Sequence, residues 1–147
     1  LAGDGIYRNE IIPQLENFEN FVWLKNLKYP EEVKEFFSEI DIFLLLSGME
    51  GLGQTIIEAL LMKKPIIASN TGGIPELIID NKTGVLVETG DDQMIVKKIH
   101  KLINESDFAN KIAETGYEFV KKEFSWEEIA KKFKDIIKTD LMERNIE

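Results

Sequence analysis

The chain has 147 residues, 44% of them hydrophobic, with 18 Lys+Arg against 27 Asp+Glu and a formal net charge of −9. That length and apolar content suit one domain with a real core, while the acidic excess argues against a general nucleic-acid surface, which needs clustered cations. Cysteine is absent, which excludes a disulfide frame and a thiolate metal site and is consistent with a cytoplasmic setting; no apolar run approaches the roughly 18 residues of a membrane span, and no signal segment is visible.

Leu1-Ala2 reads as the last residues of a strand entering the turn Gly3-Asp4-Gly5. No Met opens the chain, and we expect a domain truncated at its N-terminal edge. Residues 9 to about 16 form a predicted helix in which Pro13 is tolerated only near an end. Phe21-Val22-Trp23-Leu24 is a predicted strand. Pro30-Glu31-Glu32 opens a helix whose Val33, Phe36, Phe37 and Ile40 recur at i, i+3, i+4 and i+7.

Asp41-Ile42-Phe43-Leu44-Leu45-Leu46 then predicts an apolar strand that leads into the most informative stretch, SGMEGLGQTIIEALLMKKPIIASNTGGIPE, from Ser47 to Glu76. A glycine-containing turn and an amphipathic helix come first. The strand Pro65-Ile66-Ile67-Ala68-Ser69 follows, then a second glycine turn, Gly72-Gly73-Ile74-Pro75-Glu76, and a third strand, Gly84-Val85-Leu86-Val87. Strands alternating with helices predict an α/β fold with a Rossmann-like, doubly wound parallel sheet. Their near-continuous apolar character predicts that both faces are covered.

A strand, a small-residue turn and a helix N-terminus in succession make an anion site at the carboxyl edge of a sheet. The first backbone N–H groups of the helix are unpaired, and the macrodipole adds about half a positive charge. Gly51 and Gly53 carry no Cβ, so a ligand can approach that backbone closely. Glu50 and Glu58 are separated by seven residues, and a carboxylate can accept from two neighbouring hydroxyls. Glu58, roughly one turn into the helix, suits a ribose diol while phosphates sit at the helix mouth. Glu50 can face a group beyond the phosphates. A nucleotide-sugar has that layout, with hydroxyls at both ends and a diphosphate between. Two such glutamates also arise by chance in a chain that is 31% charged; their place around Gly51-x-Gly53 favours the functional reading. Glu76, after Pro75, reads as a helix-end charge first and a ligand second. Ser47 and Ser69 end strands and read as turn caps.

Beyond this point the chain becomes helical. Asp91-Asp92 reads as an N-cap before Met94-Ile95, not as a metal motif. Ile95, Ile99, Leu102 and Ile103 form one stripe, and Phe108, Ile112 and Phe119 another. Ser125-Trp126-Glu127-Glu128 is a capping box followed by Ile129, Phe133, Ile136 and Ile137. These stripes are expected to face a core. Lys131, Lys132, Lys134 and Lys138 read as a solvated face, with contact to an anionic membrane as the alternative. His100, the only histidine, sits among Lys97, Lys98 and Lys101 and reads as a surface residue. Ser/His and Cys/His nucleophilic schemes therefore have no support. Residues from Met142 to Glu147 are expected to fray.

The Glu50-x7-Glu58 segment resembles the signature of retaining glycosyltransferases with the GT-B fold, the large group 1 or family 4. The Gly3-Asp4-Gly5 turn, the Phe21 and Asp41 strands, Pro65-Ile66-Ile67-Ala68-Ser69, the GGIPE turn, Thr83-Gly84-Val85-Leu86-Val87 and Phe124-Ser125-Trp126-Glu127 match in order, over nearly the whole chain. The resemblance implies the C-terminal, donor-binding half of a GT-B fold with a helical tail, so that residues 1–147 would be a single donor-binding domain. It implies that Glu50 is the catalytic contact to the donor sugar and Glu58 the ribose ligand, with Gly51, Leu52, Gly53, Gln54 and Thr55 lying against sugar and diphosphate. Leu52 stands where the family usually has Phe, Gln54 where an aliphatic residue is common, and Lys25 where a glycine often follows the preceding strand. The last change leaves base preference open.

The function so implied is transfer of a glycosyl group from a UDP-, GDP- or ADP-sugar to a hydroxyl acceptor, with retention and with neither metal nor cofactor required. An Arg/Lys pair that clamps the diphosphate and the acceptor-binding domain would precede this chain, so the isolated chain is expected to be inactive. The full-length protein would be cytoplasmic, with peripheral membrane contact as an option. Two other readings remain open: a non-catalytic nucleotide-sugar-binding subunit, and another GT-B-type enzyme such as an epimerase or a phosphorylase. Lys63-Lys64 reads as a helix C-terminus balancing the dipole and not as a pyridoxal-phosphate motif.

Overall fold

The computed structural model describes the backbone of residues 1–144 and side chains as far as residue 140. The chain divides into two compact units, Leu1–Glu39 and the residues from Ile40 onward.

The first unit holds helices α1 (Arg8–Leu15) and α2 (Glu31–Glu39). Ahead of α1, Asp4 pairs with Arg8 at 2.7 Å. Pro13 lies inside α1, two residues before its end, and Ile12 beside it is buried, so the ring removes a single late hydrogen bond. In α2 the apolar stripe buries Phe37, with Phe36 edge-on to it at 5.3 Å between ring centres. The strands expected at Leu1-Ala2 and at Phe21-Val22-Trp23-Leu24 do not form. They shrink to one parallel bridge between Ala2 and Leu24. Leu24 N donates to Leu1 O at 2.7 Å, and Gly3 N donates to both Leu24 O and Lys25 O at 2.9 Å. The chain then leaves the pairing at the Gly-Asp-Gly turn, before a ladder can develop.

The second unit carries a parallel sheet of β1 (Phe43–Leu45), β2 (Ile66–Ser69) and β3 (Val85–Val87) in the order β1-β2-β3. Phe43 is in register with Ile66, and Ile67 with Val85. Helix α3 (Gln54–Leu61) connects β1 to β2, and the short α4 (Ile74–Leu77) connects β2 to β3. Three helices follow: α5 (Asp92–Asn104), α6 (Ser106–Glu123) and α7 (Trp126–Arg144). The core gathers Ile56, Ala59 and Leu60 of α3, every residue of β2, Ile74 and Leu77 of α4, Val85 and Val87, Leu102, and Ile112 and Val120 of α6. Central β2 is thus covered on both faces, as its apolar run predicts. β1 is not: Leu44 is 41% exposed.

Asp91 is the N-cap, its Oδ1 accepting from Met94 N at 2.9 Å. Ser125 Oγ accepts from Glu128 N at 3.2 Å, the forward half of the capping box. Of the α5 stripe, Leu102 is buried and Ile95 and Ile99 are half-buried, whereas Ile103 is 62% exposed. The stripe of α7 also departs from expectation. Ile129, Phe133, Ile136 and Ile137 are all exposed, Phe133 at 65%, since a periodic apolar face does not by itself supply a cover. Met142 and the two residues after it remain within α7; Asn145, Ile146 and Glu147 lie outside the described residues.

Candidate functional site

The carboxyl ends of β1 and β2 each run into a glycine turn, and the two turns meet. After β1 the chain passes through Ser47-Gly48-Met49-Glu50-Gly51-Leu52 to Gly53, the N-cap of α3, at φ +75° and ψ 59°. That left-handed conformation suits glycine. It aims the chain into a helix that opens with no side-chain cap and no acidic residue in its first turn. The first N–H groups of α3 therefore face outward as donors, with the positive end of the helix dipole behind them.

Both sequence-predicted carboxylates belong to this segment. Glu50 is half-buried in the turn, its Oε1 accepting from the Gly51 N–H at 3.1 Å. Glu58 sits four residues beyond Gln54, so it stands one helical turn below it on the same side. It is half-buried, and burial pushes its carboxyl above the ordinary value of 4.5. Gly51, Leu52, Gln54 and Thr55 are exposed around the helix mouth, while Gly53 is buried. Glu76 is exposed in the first turn of α4, where an acidic side chain is favoured by the dipole. His100 is exposed on α5.

The second turn was legible as a glycine turn but not as a partner of the first. Gly73 N donates to Gly51 O at 2.8 Å, and Thr71 Oγ1 donates to Gly48 O at 3.3 Å. A Cβ on Gly72 would run into Glu50 O, and one on Gly73 into Gly51 O. Two adjacent glycines directly after a strand were the one signal of this close approach. Beside them, Asn70 N donates to Val87 O at 2.8 Å and Asn70 Nδ2 to Glu88 Oε1 at 3.0 Å, which ties the ends of β2 and β3 together.

No Lys or Arg occurs between Ser47 and Met62 or between Ile66 and Asn81, so within these two turns attraction for an anion comes from main-chain N–H groups. A cavity of about 460 Å³ lies elsewhere, at the amino edge of the sheet, lined by Asp41, Pro65, Leu102, Ser106 and Asn110 among others. Among the described residues, no group of three or more His, Cys, Asp or Glu is placed to hold a metal ion, and no helix is long and apolar enough to cross a membrane.

The family model described as glycosyl transferases group 1 matches residues 1–119. The chain belongs to that family. Among its relatives is an uncharacterized glycosyltransferase of Methanocaldococcus jannaschii, 35% identical over 135 residues, which cover 86% of this chain and 36% of the relative. The C-terminal domain of a group 1 glycosyl transferase from Francisella tularensis superposes with a TM-score of 0.69 at 28% identity, covering 82% of this chain and 63% of that one. A Staphylococcus aureus TarM mutant, solved with fondaparinux, α-GlcNAc-glycerol and UDP, gives a TM-score of 0.79 at 28% identity over 91% of this chain and 27% of TarM. The parallel sheet with flanking helices and a helical tail is thus the Rossmann-like, C-terminal-type architecture of GT-B glycosyltransferases.

Proposed function

We propose that this chain forms the nucleotide-sugar side of a retaining glycosyltransferase that transfers a glycosyl group to a hydroxyl acceptor held by a segment outside it. The observation that carries the reading is the mouth of α3: a left-handed glycine N-cap, an uncapped first turn, Glu50 just before it and half-buried Glu58 one turn inside.

In this reading the diphosphate lies across the main chain from Gly51 to Thr55, with the N–H groups beyond Gly51 as its donors. As the bond from the anomeric carbon to the diphosphate breaks, negative charge grows on the leaving oxygens. Fixed N–H dipoles stabilise that charge more than they stabilise the bound donor, which is where rate acceleration arises. Glu50 accepts from sugar hydroxyls and turns the anomeric carbon toward the acceptor, a positioning role. Glu58 accepts from the ribose diol, and its ionised form is the one that binds. Cations that grip the diphosphate would come from outside the two glycine turns. TarM, solved with UDP, makes uridine nucleotides the first to try.

The test is ligand-observed NMR of this chain with UDP-, GDP- and ADP-glucose, repeated with Glu58→Ala. We expect one nucleotide to bind with Kd on the order of millimolar, about −4 kcal/mol, with its ribose signals lost in the variant. Binding of none, or ribose signals unchanged by Glu58→Ala, would count against the reading. Transfer is expected only when the acceptor-binding part is supplied, so turnover of a nucleotide-sugar to a glycoside by this chain alone would also count against it.

A further inference from the structure

The β2–α4 turn grips the β1–α3 turn at three successive points. Thr71 Oγ1 donates to Gly48 O at 3.3 Å, Gly73 N donates to Gly51 O at 2.8 Å, and between them Gly72, at φ +55°, lies so close over Glu50 O that no Cβ would fit. Residues 71, 72 and 73 thus register against 48, 50 and 51, and Glu50 is bracketed on both sides. Its side chain follows its backbone closely, since Oε1 accepts from Gly51 N and Cγ packs 3.7 Å from where a Gly53 Cβ would stand.

Thr71 is itself fixed in three directions. Its N–H donates to Ser69 O at 2.9 Å, its carbonyl accepts from Ile74 N at 3.2 Å, and its hydroxyl reaches the other turn. Ser69 belongs to β2, the central strand, whose four residues are all buried, so the hydroxyl is anchored to the core of the sheet.

We propose that Thr71 is a positioning residue for Glu50: its hydroxyl, anchored on β2, holds the β1–α3 turn at the height that aims the Glu50 carboxylate at the donor sugar. This rests on the donor-site reading above. Gly72 and Gly73 let the two backbones approach, and Thr71 supplies the only side-chain hydrogen bond described between the turns. A change at residue 71 therefore acts on the sugar end of a donor and leaves the nucleotide end, held at α3, nearly untouched.

The test compares Thr71→Val, which keeps the shape and removes the donor, with Thr71→Ser, which keeps the donor. In the ligand-free chain, Thr71→Val should speed hydrogen exchange of the Gly73 amide about fivefold, the loss of one ordinary hydrogen bond, and shift the amide signals of residues 48–53. Thr71→Ser should restore both. With UDP-glucose and UDP as probes, Thr71→Val should weaken UDP-glucose about fivefold and leave UDP unchanged, and it should add nothing in a Glu50→Gln background. Unchanged exchange and amide signals in Thr71→Val would overturn the clasp. Equal weakening of UDP and UDP-glucose would overturn the positioning role, because general loosening of the fold does that too. If the wild-type chain binds neither probe, nor the GDP and ADP counterparts, while the clasp responds, the donor-site reading is what has failed, and the positioning role falls with it.

Discussion

Lys63 Nζ stands 2.8 Å from Glu114 Oε1 and 4.6 Å from the centre of the Tyr117 ring, tying the end of α3 to α6, although Lys63 itself holds φ +52°. Lys63 N donates to Leu60 O and Lys64 N to Ala59 O, both at 3.0 Å. That pair of bonds is the Schellman closure of a helix, whose left-handed position glycine usually fills. The sequence suggested a helix end balancing its dipole; the structure adds a side chain that offsets backbone strain through contacts on another helix.

Lys63→Ala should therefore lose both contacts and keep the strain, and Lys63→Gly should lose the contacts and relieve it. Thermal unfolding should rank wild type above Gly and Gly above Ala, the last two separated by roughly 3 °C. The hydrogen bond that the Lys63 ammonium donates to Glu114 holds it above its ordinary value of 10.5. The stabilisation is therefore complete below pH 10.5 and is lost as pH rises through the folded-state value. Glu114→Gln should flatten that alkaline limb, and an unaltered limb would contradict the assignment.

Glu58 gives a dependence of the same sign at acidic pH. Burial raises its carboxyl above 4.5, so the fold prefers it protonated. That preference favours the fold fully below pH 4.5 and is lost as pH climbs through the raised value. Glu58→Gln should thus raise Tm at pH 7, match wild type near pH 4, and weaken nucleotide binding. A variant less stable than wild type at pH 7 would show that Glu58 gains a stabilising partner when ionised.

Gly116 sits within α6, where alanine would ordinarily add about 1 kcal/mol of helix stability. Here a Cβ would stand 2.7 Å from Thr83 O and 2.5 Å from Leu60 Cδ2. Leucine can move, but the Thr83 carbonyl is main chain beside a buried hydroxyl that accepts from Ile79 N at 2.8 Å. Overpacking of this kind costs about 1–3 kcal/mol and should win. Urea unfolding of Gly116→Ala is expected to show a net loss of about 1 kcal/mol; a gain would mean that the α6–α3 seam yields.

Asp91→Ala removes the acceptor that holds Met94 N and should lower stability by about 1 kcal/mol. Asp91→Asn should retain most of it. Asp92, exposed in the first turn, should tolerate Ala with a smaller loss, which chemical denaturation of the three variants can rank.

Local chemistry was readable from the sequence, and long-range cover was not. The Asp91 cap, the Ser125 cap, the Gly53 entry to α3 and the buried run of β2 each follow from a few neighbouring residues, and all are present. The exposure of Phe133 and Ile103 does not follow, because periodicity says which residues share a face and not what lies opposite. Leu44 reads as core for the same reason, since nothing in its own run says what covers its face. The pairing of Leu1-Ala2 with the Trp23-Leu24 run failed differently: short apolar runs made a bridge where a strand was expected. At the site, Glu50, Glu58 and both glycine turns could be named in advance. The hydrogen bond between Gly73 and Gly51 spans 22 positions, and no local pattern encodes it.

The mouth of α3 offers main-chain N–H groups and no basic side chain in either turn, and this affects how the protein can change. Under the proposed donor-site reading, substitution at Gln54 or Thr55 would leave the peptide donors in place and be nearly silent for a phosphate grip. The glycines and the two carboxylates would have no such freedom. Side chains at the rim, such as Met49 and Leu52, would then be free to vary over an unchanged main-chain anchor, so that a different sugar could be accommodated above the same leaving group.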